Sequence, residues 1–294
     1  MQPHDIRQFE EARPGLLGLA YRILGTLADA EDAVQDTWLK WAAADRDVIE
    51  KPAAWLTTTC TRRCLDLLRS AHRSRTDYVG AWLPEPIQTP VEASAEEAMV
   101  LASSLSTAFL MMLERLTPKE RAAYLLHDIF ERSYAETAEA IGVGEPACRK
   151  LVSRARSNVE QAQVRAVTPG ERQDALLTAF QAAVTSGETE PLAALLTDDI
   201  RLTADGGGKV PAARDVLRGK ERVLTFVIRT LHAFWTDFGW EPVMLNGTRG
   251  FRLTHTGNTV ATVSFAYDEA GRATDVYIMR NPDKLARLEP VVVH

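Results

Sequence analysis

The chain has 294 residues, with 34 Lys and Arg against 40 Asp and Glu, a formal net charge of −6. That acidic balance excludes bulk attraction to nucleic acid. No apolar run reaches the roughly 20 residues of a membrane helix, and MQPHDIRQFEEARPG at the N-terminus lacks the apolar stretch of a signal peptide. The length suits two or three domains. Cys60, Cys64 and Cys148 are too few for a disulfide scaffold and fit a reducing cytoplasm. Cys60 and Cys64 have no nearby His or Cys pair to complete a zinc site, so both read as buried small side chains and no metal is expected.

Charge placement says more than the total. Residues 57–76 hold Arg62, Arg63, Arg69, Arg73 and Arg75 against Asp66 alone, and 147–165 hold Arg149, Lys150, Arg154, Arg156 and Arg165 against Glu160 alone. Residues 29–50 reverse the sign, with seven acids against Lys40 and Arg46. Two basic segments separated by acidic ones suggest two nucleic-acid contacts and another partner surface.

In chain order, residues 9–75 read as helices. DAEDAVQDTWLKWAA sets Ala30, Ala33, Val34, Thr37, Trp38 and Trp41 at helical spacing, with Asp29 as the expected N-cap. A second helix follows Pro52, from Ala53 to about His72, and carries the first arginine cluster. TDYVGAWLPEPIQTPV, with three prolines and a glycine, reads as a linker over 76–91, although Trp82 and Leu83 need cover that a flexible linker does not provide. Helix returns over 92–116 with Met99, Ala102, Leu105, Phe109, Met112 and Leu116 as its apolar face. LTPKE then supplies a capping box from Thr117 to Glu120, and the helix it starts is expected to bury Leu125, Leu126 and Ile129.

SYAETAEAIGVGEPACRKLVSRAR predicts a short helix capped by Ser133 and Glu136, a left-handed glycine stop at Gly142, and a second helix opened by Pro146. Arg149, Lys150, Ser153, Arg154 and Arg156 fall on its outer face. The pattern is that of a helix-turn-helix. An ordinary helical hairpin with a solvated basic face gives the same pattern.

RAVTPGE at 165–171 marks another boundary. Beyond it the pattern predicts helices at 172–186 and 190–197, a strand at 200–204, a helix from Gly219 to Trp235, and strands at 240–245, 248–255, 258–267 and 272–280. Asn246-Gly247 is a hairpin turn signal. The expected fold is α+β, with helices against a curved meander of antiparallel strands. Between strand and helix lies DGGGKV. It is not a phosphate loop, because Val210 stands where the magnesium-holding hydroxyl belongs and Thr203 where the first glycine belongs.

Residues 29–75 resemble the second conserved region of a bacterial sigma factor of the extracytoplasmic-function group, and LTPKERAAYLLHDIFERSYAETAEAIGVGEPACRKLVSRAR resembles the group's fourth region. The C-terminal 120 or so residues resemble a SnoaL-like domain of the NTF2-like fold. WLPEP at 82–86, DGGGK at 205–209 and NPDKL at 281–285 are together similar to the subgroup in which that domain is fused as a regulator. The resemblance implies a multidomain chain: an all-α region 2 over 5–75, the WLPEP linker over 76–91, an all-α region 4 over 92–165, and an NTF2-like α+β cone over 170–294. It implies a promoter-specificity subunit without enzymatic activity or cofactor.

The implied partners are core RNA polymerase, at its β′ clamp and β flap, and promoter DNA. No membrane and no conventional anti-sigma factor is implied, and the free chain is expected to be a monomer. Asp32, Gln35, Asp36 and Trp38 match the polymerase-docking helix. Arg62, Arg63, Arg69 and Arg73 match the −10 element's reader, although many relatives have Asn where this chain has Arg62. Arg149, Lys150, Ser153, Arg154 and Arg156 match the −35 reader, with Thr137 where relatives carry a larger apolar residue. Trp82, Leu83, Pro84, Glu85 and Pro86, with Asp205, Gly206, Gly207, Gly208 and Lys209 and with Asn281, Pro282, Asp283, Lys284 and Leu285, are expected to form regulatory interdomain contacts. The C-terminal domain is expected to pack on region 2 and the linker, with DGGGK near that contact.

An alternative keeps the C-terminal domain as a small-molecule sensor or a residual enzyme of the isomerase or cyclase type. Asp199, His232, His255, Asp275 and Tyr277 are then the candidates by residue type, and the test is whether titratable groups converge inside a cavity.

Overall fold

The computed structural model describes residues 3–75, 78–88, 105–161 and 168–288. The chain divides into two compact units, Met1–Asp77 with Met112–Ala162, and Tyr78–Met111 with Gln163–His294. Among the described residues no helix is long and apolar enough to cross a membrane. Most of the helix expected over 92–116, with Met99 and Ala102, lies outside the described residues.

The first unit is all-α. Helices α1 (Pro3–Leu24), α2 (Leu27–Ala43) and α3 (Pro52–Arg75) pack on one another around Leu16, Leu19, Ile23, Ala33, Trp41, Leu56, Cys60 and Cys64, all buried. The cap of α2 is Thr26 rather than Asp29. Its hydroxyl accepts from the Asp29 N–H at 3.3 Å and donates to the Asp29 carboxylate at 2.6 Å. Asp29 is thus the third residue inside the helix, where a carboxylate meets free amides and the positive dipole end.

After α4 (Thr107–Leu113), both expected capping boxes form. Thr117 with Glu120 starts α5 (Pro118–Tyr124), which continues as a π-helical turn over Leu125–Ile129. Leu125 and Leu126 are buried there, while Ile129 is only half-buried. Ser133 with Glu136 starts α6 (Tyr134–Ile141). Gly142 then turns at φ 63°, and α7 (Glu145–Gln161) follows. Ala138 and Ile141 bury the seam against Cys148, Val152 and Ala155.

The second unit sets helices α8 (Gly170–Thr185), α9 (Glu190–Leu195) and α10 (Lys220–Phe226), with the helical run continuing to Trp235, on a six-stranded sheet. The strands are β1 (Leu196–Asp205), β2 (Leu217–Arg218), β3 (Gly239–Leu245), β4 (Thr248–His255), β5 (Asn258–Tyr267) and β6 (Ala273–Met279), in the order β2-β1-β6-β5-β4-β3. This is the α+β arrangement expected of the NTF2-like cone, with one feature that the sequence left open. The meander β3–β6 is antiparallel, but β1 adds to the free edge of β6 in parallel, so the sheet is mixed. Hairpin turns set the sense of β3 to β6; nothing local sets the sense of β1. Asn246 and Gly247 take φ 51° and 74°, the two positive angles of a tight hairpin turn.

The two sheet faces bury different cores, as strand alternation requires. Val276 and Ile278 of β6 join Phe180, Val227, Trp235, Phe251 and Val263 beneath the helices. Tyr277 and Met279 point the other way and join Val243, Leu245, Leu285 and Leu83, with Ala108 and Met111 packed alongside. Leu83 belongs to the stretch read as linker. Its described part, residues 78–88, therefore covers the outer sheet face, and burying a leucine there contributes roughly 1.5–3 kcal/mol.

Candidate nucleic-acid interface and linker-binding surface

On α7, Arg149, Lys150, Ser153, Arg154 and Arg156 are all exposed, as their spacing predicts. Arg149 lies over the Tyr134 ring at 4.1 Å and pairs with Glu145 at 2.6 Å, so its guanidinium is held across the start of the helix. Arg156 is tied to Asp128 at 2.7 Å, which raises its pKa. Lys150, Ser153 and Arg154 carry no side-chain partner among the described residues, which leaves them open to phosphate and base edges.

Among the described side chains of α3, Arg62, Arg63 and Arg69 are each engaged within the first unit. Arg62 donates to the Glu139 carbonyl at 2.8 Å, near the C-terminal end of α6. Arg63 pairs with Asp36 at 2.5 Å and Arg69 with Asp66 at 2.9 Å. The structure thus joins Arg63, expected at DNA, to Asp36, expected at polymerase. The side chain of Arg73 lies outside the described residues. Asp32 and Gln35 are exposed on α2, while Trp38 is half-buried with its ring 4.8 Å from Phe9.

Two arginines that sequence reading passed over bind the helix-turn-helix to the first three helices. Buried Arg121 donates to the Ile23 carbonyl at 2.7 Å and to Glu114 at 2.6 Å. Arg22, also buried, lies 5.6 Å from the Phe130 ring centre, and desolvation pushes its pKa down to about 10. Their sequence contexts give no sign of burial.

In the second unit the three short motifs converge on Asp205, the last residue of β1. One carboxylate oxygen accepts from the Tyr78 hydroxyl at 2.6 Å and the Gly207 N–H at 2.9 Å. The other accepts from the Leu83 N–H at 2.9 Å and the Lys284 ammonium at 2.8 Å. Lys284, buried too, also donates to the Leu83 carbonyl at 2.6 Å and lies over the Trp82 ring at 4.5 Å. That is the cover the tryptophan required.

Asn281 accepts from the Asp283 N–H, capping the short helix α11 (Pro282–Leu285), and its amide donates to Tyr78 at 3.0 Å. Burial and Asp205 push the Tyr78 phenol up, so it remains a donor. Lys209 pairs with Asp283 at 2.5 Å on the exposed rim. Pro84, Glu85 and Pro86 are buried, and Glu85 lies 3.9 Å from Arg287. Beyond the motif, the Ile87 N–H donates to the Asn246 side chain at 3.1 Å, and Ile87 accepts from the Asn246 N–H. Tyr78 and Asn246 were missed in the sequence because one lies outside the motif and the other already had a role as a turn residue.

Each glycine of DGGGK has its own reason. A Cβ on Gly206 meets the Val210 carbonyl at 2.4 Å, so the turn cannot close around a side chain. Gly207 and Gly208 sit at φ 62° and 70°, and their added Cβ atoms meet the Asn281 side chain and Val79 of the linker.

Of the catalytic candidates, exposed Asp199 shares the surroundings of Arg201 with Asp275 and Tyr277, while His232 and His255 are held by other partners. Asp275 pairs bidentately with Arg201 at 2.7 and 2.9 Å on the outer sheet face, where Tyr277 is also buried. Burial raises both their pKa values. His232 is hydrogen-bonded to the Val184 carbonyl at 2.6 Å, and the His255 ring packs 5.0 Å from Phe238. Among the described residues no cluster of His, Cys, Asp and Glu has a metal-holding arrangement, and all three cysteines are free and buried.

Residues 8–74 match Sigma-70 region 2, and residues 106–159 match Sigma-70, region 4. The chain is 36% identical over 295 residues to the ECF RNA polymerase sigma factor SigJ of Mycobacterium tuberculosis, an alignment that covers 95% of this chain and 93% of that protein. The crystal structure of SigJ superposes with a TM-score of 0.73 at 33% identity, over 96% of this chain and 98% of that one. With both conserved regions matched and likeness along nearly its whole length, the chain belongs to the extracytoplasmic-function sigma factors of RNA polymerase.

Proposed function

We propose that this sigma factor, which directs RNA polymerase to promoters for transcription initiation, is controlled in cis by its C-terminal domain acting on the linker between regions 2 and 4. The observation that carries the reading is the buried Asp205–Lys284 pair, which grips both the N–H and the carbonyl of Leu83. Gripping backbone on both sides fixes where the linker runs, and a linker so held restricts how far the flanking regions can spread. In this reading the C-terminal domain takes the part of an anti-sigma factor and is not an enzyme. The scatter of Asp275, His232 and His255 supports the second point.

At residue level, we assign Asp32, Gln35, Asp36 and Trp38 to the polymerase clamp. Arg149, Lys150, Ser153 and Arg154 go to the −35 element, and Arg62, Arg63 and Arg69 to −10 phosphates once released from their present partners. Transcription in vitro with core polymerase tests the control. Full-length Asp205→Asn and Trp82→Ala are expected to give promoter output different from that of the parent chain, with unchanged far-ultraviolet circular dichroism. Equal output from all three chains overturns cis control.

A further inference from the structure

A cavity of about 310 Å³ opens beside the glycine loop, lined by Gly206, Gly208, Lys209 and Arg214 and, from the linker, by Val79 and Gly80. Nothing in the promoter-binding or linker-docking chemistry uses it. Its size is at the small end of ligand sites, which run from roughly 300 to 1,000 Å³.

The charge around it is one-sided. Arg214 is exposed and has no hydrogen-bond or ion-pair partner among the described residues. Among the described residues Lys209 pairs only with Asp283, at 2.5 Å, and both side chains are about half-exposed. Pro211, another lining residue, accepts from Arg280 Nη1 at 2.7 Å, and Arg280 Nε is buried with no partner. The lining thus holds two cations, Lys209 and Arg214, with Arg280 behind Pro211, and no acid; of the nearby acids Asp205 is committed to Lys284 and Asp283 to Lys209, and Asp215 is exposed. Gly206 and Gly208 leave the loop backbone bare of side chains, so a ligand can come close to it.

We propose that this cavity binds a small oxyanion of metabolite size, a carboxylate or a phosphate ester, and that its occupancy acts on the linker through Val79 and Gly80. The site stands on its own geometry, whereas its effect on the linker rests on the cis-control reading.

Amide spectra of the full-length ¹⁵N-labelled chain test it, with inorganic phosphate and malonate titrated separately at constant ionic strength against chloride. At least one probe is expected to move the amides of 206–209 along a saturable curve. Binding is weak, roughly millimolar, because the cations facing the opening are solvated. Gly80 follows the same curve, and the better probe tells phosphate from carboxylate chemistry. Arg214→Glu is expected to weaken binding tenfold or more and Arg214→Gln less, with resonances away from the loop unmoved. Non-saturating shifts with both probes, or the same curve in Arg214→Glu, overturn the site. Saturation at the glycines with Gly80 unmoved overturns its effect on the linker. No polymerase or promoter is involved, so this test fails separately from the transcription test of cis control.

Discussion

Asp205 is fully buried, yet its carboxylate takes four donors, two on each oxygen. A buried carboxylate left without its cation is costly, whereas a pair in good geometry with its lone pairs filled roughly breaks even. Lys284→Met therefore leaves Asp205 charged and unpaired and is expected to destabilise the C-terminal unit by about 3–5 kcal/mol. Adding Asp205→Asn to it is expected to recover part of that loss, which urea unfolding of the single and double variants measures. Rim residues differ in kind. Lys209 and Asp283 are both solvated, so Lys209→Ala is expected to change stability by no more than about 1 kcal/mol in the same measurement. Asp205 and Lys284 were named from their motifs, but the sequence did not show which acid faces which base. It suggested Lys209 as the loop's active cation; Lys284 is the one that reaches the core.

Elements were legible where local chemistry sets them. Both capping boxes, the glycine stop at Gly142 and the Asn246-Gly247 hairpin formed as read, because each is decided within a few residues. Thr137 shows the opposite case. It sits in α6, fully buried, with a hydroxyl that has no partner among the described residues. Removing that unmet polar group while keeping the side-chain shape is expected to stabilise the helix-turn-helix, so Thr137→Val should raise the free energy of unfolding by about 1 kcal/mol. An unchanged or lower midpoint in urea would refute this. On α7, Lys150→Ala and Arg154→Ala are each expected to weaken holoenzyme binding to promoter DNA and to reduce the salt slope by about one. Arg156 is held by Asp128, so Arg156→Ala is expected to lower the stability of the unit more than it lowers DNA affinity.

At the scale of the whole molecule, Arg62, Arg121 and Arg22 join regions 2 and 4, which we propose to be the −10 and −35 readers, into one compact unit. The two promoter elements, as their names state, lie about 25 base pairs apart, roughly 85 Å at 3.4 Å per pair. A guanidinium of α3 that donates to a carbonyl of α6 cannot stay there while both readers sit on their elements. Polymerase binding is therefore expected to part α3 from α6. Dyes placed through Ser70→Cys and Asn158→Cys should lose energy transfer when holoenzyme forms. The three native cysteines are buried and do not compete for the label. Unchanged transfer on holoenzyme formation would mean the readers stay together.

The sequence by itself determined most of the described helices, the two capping boxes, the basic face of α7, the Asn246-Gly247 hairpin and the family. All of these depend on periodicity and on contacts between near neighbours. It did not determine that β1 runs parallel to β6, that Arg62 and Arg63 are spent on partners inside the unit, or that Tyr78 and Asn246 help anchor the linker. Those depend on residues 27 to 203 positions apart, whose meeting is decided by which apolar faces find each other and which buried charges find a counter-charge. The three glycines of DGGGK lie between these cases. Their freedom to turn was plain from composition, but only the fold showed that what presses on them is Val210, Asn281 and the linker itself.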